Sequence, residues 1–245
     1  MMKKRLDQLM VERDLAPSRT QAQALIMAGK VFSGDKRVNK PGALLMEDVP
    51  LSLKGESHGY VSRGGLKLAH ALDHFNISPE GLVGLDIGAS TGGFTDVLLK
   101  RGARRVYAVD VGYGQLAWEI RNNQRVVVME KTNARFLTQT LIPEPPKIIV
   151  CDASFIGLRT VLPASLALAT SGTKLVVLIK PQFEVGRERV GKGGIVRDPD
   201  LHQEVCESIT TWLAEDMKWK VLGLVPSPIQ GAEGNVEFLI AAEKV

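Results

Sequence analysis

The chain has 245 residues, 44% hydrophobic and 24% charged, which is the composition of a folded globular protein and excludes a disordered one. Thr160 to Thr173 is its longest uncharged run and is broken by Pro163 and Gly172, so no segment reaches the roughly 20 apolar residues of a membrane helix. The formal charge is only +4, and Cys151 and Cys206 are too few and too far apart for a disulfide framework or a zinc site.

Residues 3–14 place Leu6, Leu9, Met10 and Val11 on one face, which predicts an amphipathic helix of about three turns. Lys3, Lys4 and Arg5 look like the start of an export leader, but Asp7, Glu12 and Asp14 stand where its apolar region would be. A soluble, cytoplasmic chain is the expectation. Pro17 and Ser18 open a second helix. Ser18-Arg19-Thr20-Gln21 has the spacing of a capping box, Ala22, Leu25 and Ile26 form a buried stripe, and Gly29 suits a left-handed stop. Val31-Phe32 and Arg37-Val38 flank Ser33-Gly34-Asp35-Lys36, a hairpin signal. Two short helices and a hairpin make a small α+β module over residues 1–57. That module holds ten Lys/Arg against seven Asp/Glu, net +3, whereas residues 58–245 hold 21 against 20. A module that touches a polyanion has this distribution, and so does a merely solvated charged face.

Gly55, Ser57 and Gly59 mark a linker, with its boundary set at residues 58–63. From Gly64 to residue 245 the pattern alternates. Strands are expected at Leu82–Ile87, Arg105–Asp110, Val126–Met129, Ile148–Asp152, Leu175–Lys180, Lys220–Val225 and Val236–Ala242. Helices are expected over 65–75, 93–101, 115–121, 156–169 and 199–214, the last with Asp198 as its cap and Pro199 in its first turn. This is an α/β, Rossmann-like, doubly wound and mostly parallel sheet of about seven strands. Nothing in the pattern marks an interface between copies, and a monomer is the default.

Ligands of such sheets bind at the carboxyl ends of the strands. The first strand ends in Asp86-Ile87-Gly88-Ala89-Ser90-Thr91-Gly92-Gly93-Phe94, where the glycines admit a ligand close to the backbone. A dinucleotide fingerprint needs glycine where Ser90 stands, and Asp86 would repel a pyrophosphate. An aspartate there suits a ligand with an ammonium group and no phosphate, as in S-adenosylmethionine. Asp110 lies 24 residues further on, where an acid meets ribose hydroxyls, and Asn133 follows the third strand within reach of an adenine. Either aspartate taken alone is equally a loop cap.

Lys67, Asp152, Lys180 and Glu237 each fall at a strand end or on a helix facing that pocket. Burial disfavours an ammonium ion and so suits a lysine that closes an apolar strand to act as a base. Two structural salt bridges are the plainer alternative. The order Lys67, Asp152, Lys180, Glu237 resembles the Lys-Asp-Lys-Glu tetrad of FtsJ-like ribose 2′-O-methyltransferases. The strings Tyr60-Val61-Ser62-Arg63-Gly64-Gly65, Val109-Asp110-Val111-Gly112-Tyr113-Gly114-Gln115-Leu116, Cys151-Asp152-Ala153-Ser154-Phe155-Ile156 and Ile179-Lys180-Pro181-Gln182-Phe183-Glu184 resemble the TlyA/hemolysin A family. Arg5-Leu6-Asp7 through Ser18-Arg19 to Ala28-Gly29-Lys30-Val31 resembles an S4 RNA-binding domain, with Ser33-Gly34 where such modules often carry Asn-Gly.

The resemblance implies an S4-like domain over 1–57 and a methyltransferase domain over 64–245. The implied reaction moves the methyl of S-adenosylmethionine to a ribose 2′-hydroxyl of ribosomal RNA, with cytidine the usual target. Lys180 or Lys67 would be the base, since coupled groups share their titration, with Asp152 and Glu237 orienting both. Arg5, Arg19, Lys30, Lys36, Arg37 and Lys40 are candidates for phosphate contact, as are Arg187 and Arg189 on a glycine-rich loop expected to act as a mobile lid. Phe155 and Phe183 are candidates for stacking on an extruded nucleotide, with core packing as the alternative. His70 and His74 have metal spacing but no third ligand and read as helix-surface residues; the implied chemistry needs no metal. The hemolysin label raises a membrane-lytic alternative, and an RNA- and S-adenosylmethionine-binding factor without turnover is a third reading.

Overall fold

The structure is a computed structural model that describes residues 3–13, 15–34, 36–53, 59–231 and 234–245, the side chain of Ser52 aside. Asp14, Asp35, Gly55, Ser57 and the first linker position lie outside the described residues. The chain falls into two compact units, Met1–Ser57 and His58–Val245.

In the first unit β1 (Lys3–Arg5) leads into α1 (Leu6–Glu12), and α2 (Arg19–Met27) follows. Four short strands complete it: β2 (Val31–Ser33), β3 (Lys36–Arg37), β4 (Leu44–Met46) and β5 (Leu51–Leu53). The expected helix over 3–14 is thus three residues too long at its start. Lys3–Arg5 has no apolar position to add to the helix stripe, and it pairs antiparallel with Leu44–Met46 instead. Ser18 caps α2 by accepting the Gln21 N–H at 3.2 Å. The β2–β3 hairpin pairs Phe32 with Arg37 and Ser33 with Lys36, and β5 pairs on the other edge of β2. Leu6, Met10, Ala16, Ala22, Ile26 and Val31 form the core.

Within that core Asp7 is fully buried. Its Oδ1 accepts from Arg5 Nε at 3.0 Å, and its Oδ2 accepts from Arg5 Nη2 at 3.0 Å, Arg19 Nη2 at 3.2 Å and Gln23 Nε2 at 2.8 Å. The Arg5 hydrogen bonds hold its carboxyl well below the ordinary carboxylate range, with Gln23 and Arg19 adding to the effect against the opposing pull of burial.

The second unit opens with α3 (Gly64–His74) and then alternates: β6 (Val83–Ile87), α4 (Gly93–Lys100), β7 (Arg105–Val109), α5 (Trp118–Arg121), β8 (Val126–Met129) and β9 (Ile148–Cys151). Then come α6 (Leu158–Val161), α7 (Pro163–Ala167), β10 (Lys174–Ile179), α8 (Pro181–Glu184), α9 (Pro199–Thr211), β11 (Trp219–Pro226) and β12 (Phe238–Lys244). The seven strands lie in the order β11-β12-β10-β9-β6-β7-β8. β6 to β10 run parallel to one another, whereas β12 runs antiparallel to both β10 and β11.

Alternation along the strands feeds two cores, as a strand's side chains must. Leu85, Ile87, Ile149, Cys151, Leu175 and Val177 meet α6, α7 and α9. Val106, Ala108, Ile148, Val150, Val176 and Leu178 meet α3 and α4. The sheet is therefore wound on both faces. Three helices differ from expectation. Pro163 has no N–H to continue a helix, so 156–169 divides into α6 and α7. Gly114 at φ +70° keeps 113–116 irregular, with the Gly114 and Gln115 N–H groups donating to Glu130, so α5 starts only at Trp118. α9 passes into a π turn, Trp212–Asp216, that buries Trp212 and Leu213.

Gly59 to Arg63, expected as linker, are bound to the second unit: Val61 N–H donates to Asp96 Oδ2 at 2.9 Å, and Lys100 donates to the Gly59 carbonyl at 2.6 Å. Among the described residues, no helix is long and apolar enough to cross a membrane.

Asp7→Ala should destabilise the first unit by about 2–3 kcal/mol, because it strips charged hydrogen-bond partners from a buried site. Since the folded carboxyl titrates below its unfolded counterpart, its contribution is complete above about pH 5 and fades as the pH falls through 4 and below. Limited proteolysis of the full chain between pH 3 and 7 follows both effects.

Candidate active site

The carboxyl rim of the sheet collects the chemistry. Asp110, Asp152 and Lys180 each stand one residue past the end of β7, β9 and β10, and Glu237 stands one residue before β12. Because β12 is antiparallel, its first residue arrives at the rim where β10 ends: Phe238 pairs with Ile179. Lys67 reaches the same place from the first turns of α3.

These side chains form an alternating ionic chain. Glu237 Oε2 lies 2.6 Å from Lys67 Nζ, Asp152 Oδ2 lies 3.7 Å from Lys67 Nζ, and Asp152 Oδ1 lies 2.7 Å from Lys180 Nζ. Lys67, Lys180 and Glu237 are buried, and Asp152 keeps 21% of its side chain exposed. Lys180 also donates to Ser154 Oγ at 2.8 Å and to the Asp152 carbonyl at 3.1 Å. Ser154 belongs to the site although sequence reasoning assigned it no role; its place two residues after Asp152 was the available signal.

All four ionic residues line a cavity of about 520 Å³, together with Gly88, Ser90, Thr91, Gly93 and Phe94 of the glycine crest. A second cavity of about 460 Å³ shares Gly88, Ser90, Asp152, Ser154 and Phe155 with the first and extends to Asp110 and Asn133. Gly88 adopts φ +78°, and a Cβ there would lie 2.9 Å from Ala153 Cα, so no other residue fits. Asp110 accepts the Ser90 N–H at 2.8 Å and the Gly112 N–H at 2.7 Å, which fixes the crest while leaving lone pairs for a ligand. Asn133 caps the turn Ala134–Phe136 by accepting the Arg135 N–H at 3.1 Å.

Two expected cofactor contacts fall elsewhere. Gly92 lines neither cavity; at φ +94° it precedes α4, where a Cβ would crowd Ile120 and Leu116. Asp86 is fully buried and lines neither cavity, because Thr95 Oγ1 draws its Oδ2 inward at 2.6 Å. Burial pushes its carboxyl up to about 7 against the Thr95 hydrogen bond, with the nearby charge of Asp152 adding to the rise.

Of the expected RNA contacts, Lys30, Lys36, Arg37 and Lys40 are exposed on the first unit, and Arg5 and Arg19 are half-exposed on Asp7. Arg187 is exposed; Arg189 is held by two hydrogen bonds to Glu204 at 2.5 and 2.6 Å. Their loop, expected as a mobile lid, carries local structure. It contains α8, a 3-10 turn Arg187–Arg189 and a bridge between Gly191 and Ile195, and it buries Val196. Phe155 is 92% exposed at φ +65°, with its ring centroid 5.3 Å from that of Phe183. His70 is half-buried and His74 exposed on α3, and among the described residues no group of three or more His, Cys, Asp or Glu is arranged to hold a metal ion.

Residues 60–244 match the FtsJ-like methyltransferase family, and residues 4–46 match the S4 domain. The chain belongs to the FtsJ-like methyltransferases. It is 49% identical over 97% of its length to YqxC of Bacillus subtilis (strain 168), whose name places it provisionally among the rRNA methyltransferases, and it covers 85% of that protein. It is 47% identical to the 16S/23S rRNA (cytidine-2′-O)-methyltransferase TlyA of Mycobacterium tuberculosis (strain ATCC 25618 / H37Rv), over 96% of this chain and 88% of that one. A solved structure from Streptococcus thermophilus that carries a hemolysin label superposes with a TM-score of 0.77 at 46% identity, covering 100% of this chain and 90% of that chain.

In this FtsJ-like domain the buried Asp86 sets a pH dependence. Its folded value near 7 lies above the ordinary carboxylate value, so between about pH 4 and pH 7 the folded state holds a proton that the unfolded chain has released. Stability then falls as pH rises through that window, by up to about 4 kcal/mol at roughly 1.4 kcal/mol per unit. Asp86→Asn has no such loss, so urea unfolding should show the variant gaining on the wild type from about pH 4 to 8.

Proposed function

We propose that this chain methylates a ribose 2′-hydroxyl of ribosomal RNA, with cytidine as the modified nucleotide and S-adenosylmethionine as the methyl donor. The observation that carries this reading is the ionic chain Glu237–Lys67–Asp152–Lys180 lining a cavity that adjoins the glycine crest. A hydroxyl is a weak nucleophile, and a positioned base together with a positive charge near its oxygen is what its attack requires. Lys180, acting as the unprotonated amine, takes the hydroxyl proton and becomes an ammonium ion facing Asp152, and Lys67 stabilises the oxygen as negative charge develops on it. Asp152 holds both lysines to the cavity, and Glu237 secures Lys67 from behind.

The second cavity fits the cofactor. Gly88 leaves its wall open where a Cβ would collide with Ala153, Asp110 offers a carboxylate to ribose hydroxyls, and Asn133 lies on the same wall. When bound, S-adenosylmethionine supplies a methyl group activated by its sulfonium. Asp152, Ser154 and Phe155 line both cavities, so methyl donor and acceptor meet across them. Holding two reactants in line supplies much of the rate in such transfers.

Phe155, exposed beside Phe183, offers its ring to an unstacked base at the cavity mouth. On the first unit, Arg5, Arg19, Lys30, Lys36, Arg37 and Lys40 engage phosphates, which position an RNA without reading its sequence. The protein acts in the cytoplasm on ribosomal subunits, as a monomer. The TlyA name, carried by a relative 47% identical over nearly the whole chain, supports both the substrate and the hydroxyl.

Labelled S-adenosylmethionine and purified ribosomal subunits test this directly. Label should enter rRNA and be recovered after alkaline hydrolysis in dinucleotides, because a 2′-O-methyl group blocks cleavage of the adjoining phosphodiester, and Lys180→Ala should lower the rate at least 100-fold. No label in either subunit would refute the reading. Deleting residues 1–57 should weaken rRNA binding and flatten its salt dependence, which filter binding between 50 and 200 mM salt measures.

A further inference from the structure

The wall of the larger cavity includes Gly193 and Gly194 from the loop between α8 and α9. That loop turns back on itself: the Gly191 N–H donates to the Ile195 carbonyl at 3.1 Å, and the Gly194 N–H donates to the Gly191 carbonyl at 3.1 Å. Glycine-rich segments of this kind lose much conformational entropy when ordered. Here the order is imposed from outside the loop.

Asn235, 3% exposed, grips it at two points. Its Oδ1 accepts the Val196 N–H at 3.1 Å, and its Nδ2 donates to the Gly194 carbonyl at 3.0 Å. The orientation of the amide is fixed by chemistry, because an N–H must meet its oxygen and a carbonyl must meet its nitrogen. His202 on α9 donates Nε2–H to the Val196 carbonyl at 2.9 Å. Val196 is thus held at both backbone groups and is 2% exposed. Two residues beyond Asn235, Glu237 pairs with Lys67. One short segment therefore fixes both an acid of the ionic chain and the loop across the cavity from it. The second cavity is lined by none of Gly193, Gly194 or Asn235.

We infer that Asn235 is a positioning residue that latches residues 191–196 as a preset wall for the RNA nucleotide entering the larger cavity. The identity of that occupant rests on the function proposed above; the latch itself does not. A wall ordered in advance spares the acceptor the entropy of ordering it on binding. Releasing the latch therefore weakens acceptor binding, and it leaves the cofactor cavity intact. Lys192, exposed within the same segment, is held there by the same latch.

Asn235→Ala and Asn235→Asp test this, the second because aspartate still accepts from Val196 but has no N–H for Gly194. For Asn235→Ala, hydrogen exchange across 191–196 should accelerate at least about tenfold, and KM for purified ribosomal subunits should rise about tenfold. Over the same change kcat should fall less than about threefold, and the S-adenosylmethionine Kd should stay within about twofold. Asn235→Asp, whose second oxygen would face the Gly194 carbonyl, should accelerate exchange and raise KM at least as much as alanine. Unchanged exchange, a loss confined to kcat, or a parallel loss of S-adenosylmethionine binding would overturn the proposal. Should Asn235→Ala lose its cooperative thermal transition, Asn235→Asp decides by the same readouts. A wild-type protein that methylates neither subunit refutes the functional reading, while exchange and S-adenosylmethionine binding still judge the latch.

Discussion

Two lysines and two carboxylates meet inside the larger unit, and much of its architecture follows from keeping them paired. A buried ion that loses its partner typically costs about 3–5 kcal/mol, so an arrangement with four such groups survives only where each charge faces an opposite one. The order Glu237, Lys67, Asp152, Lys180 meets that condition by alternating. Lys180 has three acceptors around its ammonium: Asp152 Oδ1, the Asp152 carbonyl and Ser154 Oγ. Asp152 serves both lysines and is the most exposed of the four. The chain of charges therefore opens to the cavity at its shared member. In the proposed reaction, the ammonium ion that Lys180 becomes on taking the hydroxyl proton already faces Asp152.

That arrangement depends on one reversal in the sheet. In a purely parallel sheet every strand enters at the rim opposite the ligand. β12 enters from the ligand side, because it lies antiparallel between β10 and β11. Its approach thus delivers Glu237 beside Lys180, while Asn235 holds the loop that closes the cavity. The full interior register with β10, six pairs from Lys174 with Glu243 to Ile179 with Phe238, fixes the height at which Glu237 stands. A slip of one residue would turn Glu237 to the other face of the sheet and leave Lys67 with only the longer, 3.7 Å pairing to Asp152.

This explains why the chemistry was legible in the sequence and parts of its setting were not. Asp110, Asp152 and Lys180 each end an apolar run, and strand ends are the positions that sequence pattern places best in an α/β sheet. Ser154 carries no such signal, since a serine after a strand is usually a loop residue; only the Lys180 ammonium gives it a role. Asn235 is similar: its two partners lie about 40 residues away in a loop whose glycines suggested mobility. Asp86 shows the converse. Its place at the strand tip suggested a ligand contact, but strand alternation turns its side chain into the fold, where Thr95 receives it. Lys3–Arg5 and Leu44–Met46 were missed as strands because charged or very short segments have no periodicity to read, and their pairing is set by tertiary context.

The same device, a carboxylate that organises two cations, occurs in both units with opposite exposure. Asp7 is fully buried, yet Arg5 and Arg19 keep about half of their side chains in solvent. The single buried charge offsets the repulsion between two neighbouring guanidiniums, and in the proposed function their exposed N–H groups would meet phosphates. In the larger unit Asp152 likewise faces two cations, but Lys67 and Lys180 are both buried. Exposed arginines with planar forks suit a repeating polyanion, where many weak, screened contacts add up. Buried lysines suit one oxygen at one place, where low dielectric makes each charge count. On the function proposed above, the difference between the surface that would hold RNA and the site that would react with it lies less in the residue types than in how deeply their carboxylate partners draw them in.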